Sequence, residues 1–127
     1  MDKIFLVGMG GFMGAVLRYL VSGYVQNITQ SIAFPYGTLV VNISGCFLIG
    51  MLYHLVESQT GITADMRLLL MVGLVGSFTT YSTFSSETMN LLQDQRLFPA
   101  LTNIGAHLIF GLFAVMLGRF AITAIRG

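Results

Sequence analysis

Charge is what this chain has least of. Its 127 residues include six Lys and Arg and five Asp and Glu, 9% in all, where an ordinary soluble domain carries about 25%. So little charge cannot cover a soluble protein of this size, which exposes most of its residues. A net charge of +1, thinly spread, leaves no electrostatic footprint for nucleic acid. The single cysteine, Cys46, excludes an intrachain disulfide and a cysteine-based zinc site. Two histidines and five acids leave little for metal or acid–base catalysis, and no enzyme is expected.

What is present is apolar. Hydrophobic residues make up 55% of the chain before its 15 glycines are counted, and the mean hydropathy is +0.82. The surrounding medium must be mostly lipid. A membrane helix needs about 20 mostly apolar residues, and four such runs can be read at about 4–25, 36–56, 66–92 and 99–125. Polar connections separate them, with Pro35 and Pro99 at helix starts. These runs predict an all-α integral membrane protein, one four-helix domain over 1–127, with no internal repeat. The apolar run after Lys3 resembles a signal peptide but ends on no small-residue cleavage site, so it is expected to stay in the mature chain.

Orientation is weakly encoded. With both termini on one side, Lys3, Arg67, Arg119 and Arg126 face Arg18 and Arg96 across the membrane, a slight positive-inside bias. Two readings stand: one orientation set by a charge or two, or insertion both ways, with inverted copies pairing about an axis in the membrane plane.

The polar residues inside the spans carry the functional signal. Gly8-Met9-Gly10-Gly11-Phe12-Met13-Gly14 is not a dinucleotide loop, because Met13 stands where the third glycine belongs and no strand precedes it. Gly10 to Gly14 and Gly11 to Ala15 instead make small-residue faces for close helix packing. Arg18, near the end of its run, either snorkels to the interface or lines a polar vestibule. Thr38 and Asn42, four apart, share a face with Gly45; Asn42 is interhelical glue or pathway lining.

The strongest signal is Gly73-Leu74-Val75-Gly76-Ser77-Phe78-Thr79-Thr80-Tyr81-Ser82-Thr83-Phe84-Ser85-Ser86-Glu87. Such a run is poor helix material in the middle of a membrane segment, where backbone groups cannot stay unpaired. A functional break is expected in preference to a continuous helix whose hydroxyls bond back to the preceding turn. Carbonyls freed near Gly76 and Thr79 could hold a small cation. The hydroxyls of Ser82 and Thr83 and the amide of Asn42 can donate to an anion, and Tyr81 and Phe84 present ring edges of partial positive charge. Such weak, neutral donors suit conduction, since an ion held by a fixed charge would not leave. Glu87 and Asn90 continue the polar stripe. On the fourth run Asn103, His107 and Gly111 share a face, and His107 reads as an interhelical hydrogen-bonder.

On these motifs the chain resembles the small bacterial fluoride channels, the Fluc or CrcB family, along essentially its whole length. The first-helix motif is matched by Gly10-Gly11-x-x-Gly14-Ala15-x-x-Arg18-Tyr19 and the second by Gly37-Thr38-Leu39-Val40-Val41-Asn42. Thr79-Thr80-Tyr81-Ser82-Thr83-Phe84-Ser85 is similar to the third-helix signature, followed by Glu87. The resemblance implies a multi-pass protein of the bacterial inner membrane, an antiparallel, dual-topology homodimer that passively exports fluoride and so lowers its cytoplasmic concentration. It implies a fluoride path along Asn42, Tyr81, Phe84, Ser82, Thr83, Thr38 and Glu87. It also implies a structural sodium ion at the dimer centre, held by main-chain carbonyls of Gly76 and Thr79. The chain departs from the family pattern at Tyr81, where a phenylalanine is usual, at Ser77, where a glycine pair is usual, and at Gly111 and Val115, where polar residues are expected. The alternative is a small multidrug-resistance-type, proton-coupled exporter, but that needs an acid deep in the first helix, and 4–25 contains none.

Overall fold

The structure, a computed structural model, describes residues 2–30, 33–58 and 61–126, and all regular structure among them is helical. Among the described residues, four helices are long and apolar enough to cross a membrane: Lys3–Thr29, Tyr36–Glu57, Ala64–Gln93 and Leu97–Ile125.

The ends follow from local chemistry. The Asp2 carboxylate accepts the Ile4 amide at 3.0 Å and caps the first helix, which stops where Gln30 turns left-handed at φ 49°. Pro35 precedes the second helix, a position where its missing N–H costs nothing. The Thr63 hydroxyl accepts the Met66 amide at 3.1 Å and caps the third span. Pro99 lies in the first turn of the fourth helix, Leu97–Arg126, where amides have no intrahelical acceptor.

The third span is the irregular one. An α turn, Ala64–Arg67, passes into a π-helical stretch, Leu68–Val75, and then a single α turn, Gly76–Phe78. Thr79 and Thr80 are extended, with φ/ψ of −84°/157° and −151°/116°, before helix resumes over Tyr81–Gln93.

Glycines set the packing. The first helix lies on the first half of the third span, where a Cβ at Gly10 would strike the Leu69 carbonyl and one at Gly14 the Ser77 hydroxyl and Leu74 carbonyl. Gly11, on the neighbouring small-residue face, has nothing within 4 Å of such a Cβ, so among the described residues the close backbone approach is made by the Gly10–Gly14 face. The second helix lies on the fourth through Gly50 against the Val115 carbonyl and Gly118 against the Phe47 carbonyl. Small residues let backbones approach closely where lipid supplies no hydrophobic force between helices. At one end of this pair Arg119 grips Glu57 bidentately at 3.0 and 3.1 Å, and His54 meets the Thr123 hydroxyl at 3.1 Å. In the most apolar 18-residue stretch of each span no more than 22% of the residues are buried inside the chain, so much of each helix is left for lipid or another protein surface.

Candidate functional site

The two extended threonines organise the polar residues. Asn42, buried on the second helix, meets the Thr80 peptide with both ends of its amide. Its Oδ1 accepts the Thr80 N–H at 2.8 Å, and its Nδ2 donates to the Thr80 carbonyl at 3.1 Å. The second Nδ2 proton lies toward His107 Nε2, 3.0 Å away. His107 Nδ1 lies 3.0 Å from the Asn103 carbonyl one turn back on the fourth helix. His107 thus joins two helices, the role its polar face suggests. Asn103 in turn donates from Nδ2 to the Thr88 hydroxyl at 2.9 Å.

Thr80 also starts the helix that follows. Its hydroxyl accepts the Thr83 amide at 3.2 Å, the usual work of a threonine N-cap. The same hydroxyl lies 3.1 Å from Thr83 Oγ1 and 3.3 Å from Ser82 Oγ. Two main-chain carbonyls lose their regular donors as a result. The amide four residues beyond Gly76 belongs to Thr80 and goes to Asn42; the one beyond Thr79 belongs to Thr83 and goes to the Thr80 hydroxyl.

Two cavities meet at this point. The larger, about 550 Å³ and mostly apolar, brings together Asn42, Gly76, Thr79, Tyr81, Phe84 and His107. The Phe84 ring lies 5.7 Å from that of Tyr81 and 4.2 Å from the His107 ring, centroid to centroid. Tyr81 is 80% exposed, so its hydroxyl-bearing ring stands at the open side. The smaller cavity, about 380 Å³, brings together Arg18, Ser22, Thr38 and Thr83, and Thr80 lines both. Arg18 does not stand free there: its Nε donates to the Ser77 carbonyl at 3.1 Å, while the Ser77 hydroxyl donates to the Gly11 carbonyl at 2.9 Å. Ser77, the departure from a glycine pair, therefore ties the third span to the first helix.

Ser82 and Glu87 line neither cavity. Ser82 is exposed. One carboxylate oxygen of Glu87, Oε1, is buried with no partner among the described residues. Gly111 sits opposite Cys46 Sγ, 3.6 Å from where a Cβ would be. Sequence reasoning missed Thr80 as the wall between the cavities, although a threonine three residues before Thr83 at a helix restart is a readable cap signal.

Similarity to known proteins agrees with the motifs. The family described as CrcB-like protein, Camphor Resistance (CrcB), matches residues 5–119. A protein named fluoride-specific ion channel FluC 1, from Methanosarcina acetivorans, is 49% identical over 121 residues, 95% of this chain and 91% of the relative. Fluoride-specific ion channel FluC from Shewanella loihica is 43% identical over 119 residues, 94% of each chain. Fluoride-specific ion channel FluC 3 from Methanosarcina barkeri is 40% identical over 119 residues, 94% of this chain and 89% of its own. With a match that runs from the first helix well into the fourth, the chain belongs to the CrcB-like family.

Proposed function

We propose that this protein is a passive, fluoride-selective channel of the plasma membrane that lets fluoride out of the cell and so limits its toxicity. The observation that carries the reading is the likeness, over nearly the whole chain, to relatives named fluoride-specific ion channels. The site is consistent with it: ring edges and hydroxyls gather around a backbone interruption, and no carboxylate stands in the first helix for a proton-coupled exporter to use. Fluoride is small and binds donors strongly, so closely placed hydroxyls and ring edges replace its water better than they replace that of chloride.

The working unit is an antiparallel homodimer of dual topology, and the open apolar cavity beside Tyr81 faces the second copy. The extended Thr79–Thr80 pair is the mid-membrane break, tolerated at that depth because Asn42 satisfies the Thr80 peptide. Fluoride passes along Phe84, Tyr81, Ser82, Thr83, Thr38 and Glu87. Asn42 belongs to the same wall, and the proton it shares with His107 is the one an anion would compete for. Arg18 and Thr38 form the vestibule with Thr83. The Gly76 and Thr79 carbonyls, both deprived of helical donors and both lining the larger cavity, fit the implied sodium ion, since hard cations take neutral oxygen ligands. Sodium would hold two copies of the break together; its chemistry there is structural.

The test is flux from liposomes holding the purified protein. Fluoride should leave without a proton gradient, and chloride should be largely retained. Equal chloride flux through the same protein would remove the selectivity, and a requirement for a proton gradient would remove the channel.

A further inference from the structure

Donor and acceptor roles around Asn42 are set by backbone groups that have no choice. The Thr80 N–H can only donate, so the Asn42 atom 2.8 Å from it is the oxygen. The Thr80 carbonyl can only accept, so the atom 3.1 Å from it is the nitrogen. This removes the usual amide-flip ambiguity. The group facing His107 Nε2 at 3.0 Å is therefore an N–H donor, and Nε2 must accept. The proton then lies on Nδ1, where the Asn103 carbonyl, 3.0 Å away, accepts it. An imidazolium carries N–H on both nitrogens and would set Nε2–H against the Asn42 N–H. The other titratable side chains lining this cavity are Cys46 and Tyr81, and no Asp, Glu, Lys or Arg lines it among the described residues.

We infer that His107 is a positioning residue for conduction: as a neutral imidazole protonated on Nδ1, it orients the Asn42 amide that holds the Thr79–Thr80 backbone open. The Asn103 carbonyl fixes the tautomer, the tautomer presents an acceptor to Asn42, and Asn42 spends its remaining groups on Thr80. The fourth helix thereby acts on Thr80 of the third span through Asn42 of the second. The Phe84 ring, 4.2 Å from the imidazole, limits how far His107 can swing. This role rests on the channel reading for its effect on flux, but its tautomer does not.

Two measurements separate those levels. The chain has two histidines, so His54→Gln leaves His107 as the sole imidazole. Nitrogen-15 spectra of that variant, histidine-labelled in lipid nanodiscs at neutral pH, should show the Nδ1–H tautomer; an Nε2–H tautomer or an imidazolium overturns the inference. In fluoride flux, His107→Phe keeps a ring beside Phe84 but removes the acceptor, and should slow transport by about tenfold or more, the size expected when a buried donor is left unpaired. His107→Gln can place an amide oxygen near the Nε2 position and should keep flux within about threefold of the parent, less than one lost buried hydrogen bond. Full flux in His107→Phe, or equal loss in both variants, overturns the positioning role. If the parent protein carries no fluoride, the channel reading falls, and the tautomer still decides the relay by itself.

Discussion

Asn42 is the residue on which most depends, because one side chain bonds both the main-chain N–H and the carbonyl of Thr80, where the helix is interrupted. Asn42→Leu takes one donor from the Thr80 carbonyl and leaves the Thr80 N–H without its acceptor, a loss of about 1–3 kcal/mol for a buried unpaired group. The variant should melt at lower temperature in detergent and lose nearly all fluoride flux; normal flux would mean that the break is held by something else. Glu87 makes the opposite case. Its Oε1 is buried without a partner among the described residues, a poor place for a charge, and an anion path gains nothing from a fixed carboxylate. Glu87→Gln should therefore conserve at least half of the fluoride flux, by rough estimate from removing an unfavourable buried charge, with no dependence on a pH gradient. Flux that dies in Glu87→Gln and follows the gradient would instead identify an exporter.

At the scale of the element, the four spans were legible because apolar length alone reports them. The hydroxyl run is what suggests a break, since hydroxyls compete with helical backbone for hydrogen bonds, and Thr79 and Thr80 within it are extended. The π-helical stretch was not legible: Leu68-Leu69-Leu70-Met71-Val72-Gly73-Leu74-Val75 is uniformly apolar and bears no residue that distinguishes one helical register from another. Nor was the Asn42–His107 contact, 65 positions apart in sequence, because the relative rotation of two helices is decided by packing and not by either helix's own pattern. Glycine roles split for the same reason. A Cβ at Gly10 meets the Leu69 carbonyl and Leu74 amide, while one at Gly23 meets nothing within 4 Å. Backbone atoms cannot step aside as a flexible side chain can. Gly10→Ala should cost about 1–3 kcal/mol as overpacking, and Gly23→Ala should stay within about 0.5 kcal/mol. Reversible unfolding in mixed micelles reads the difference; equal effects would show that the first helix is not seated through its Gly10 face.

At the scale of the whole molecule, the chain leaves much of its apolar surface uncovered. With at most 22% of the residues buried in the most apolar 18-residue stretch of any span, and a cavity of about 550 Å³ opening beside Tyr81, its break region needs cover. Lipid tails would cover the apolar walls but would strand the Gly76 and Thr79 carbonyls, which have lost their helical donors. A second copy bringing its own carbonyls around a shared cation would cover both. An inverted copy is permitted because the bias of basic residues across the membrane is slight: neither orientation is strongly favoured, so both should be inserted. The connection after Gln93 offers a clean report. Asp94, at the end of the third span and exposed, can be changed to cysteine in a Cys46→Ala background without touching either cavity. A membrane-impermeant thiol reagent applied to intact cells should label about half of the Asp94→Cys protein, the fraction expected when no loop charge biases insertion, and the rest should react only after lysis. Labelling that is complete from one side, or absent from it, would require a single orientation, and the antiparallel dimer would then have no route to form.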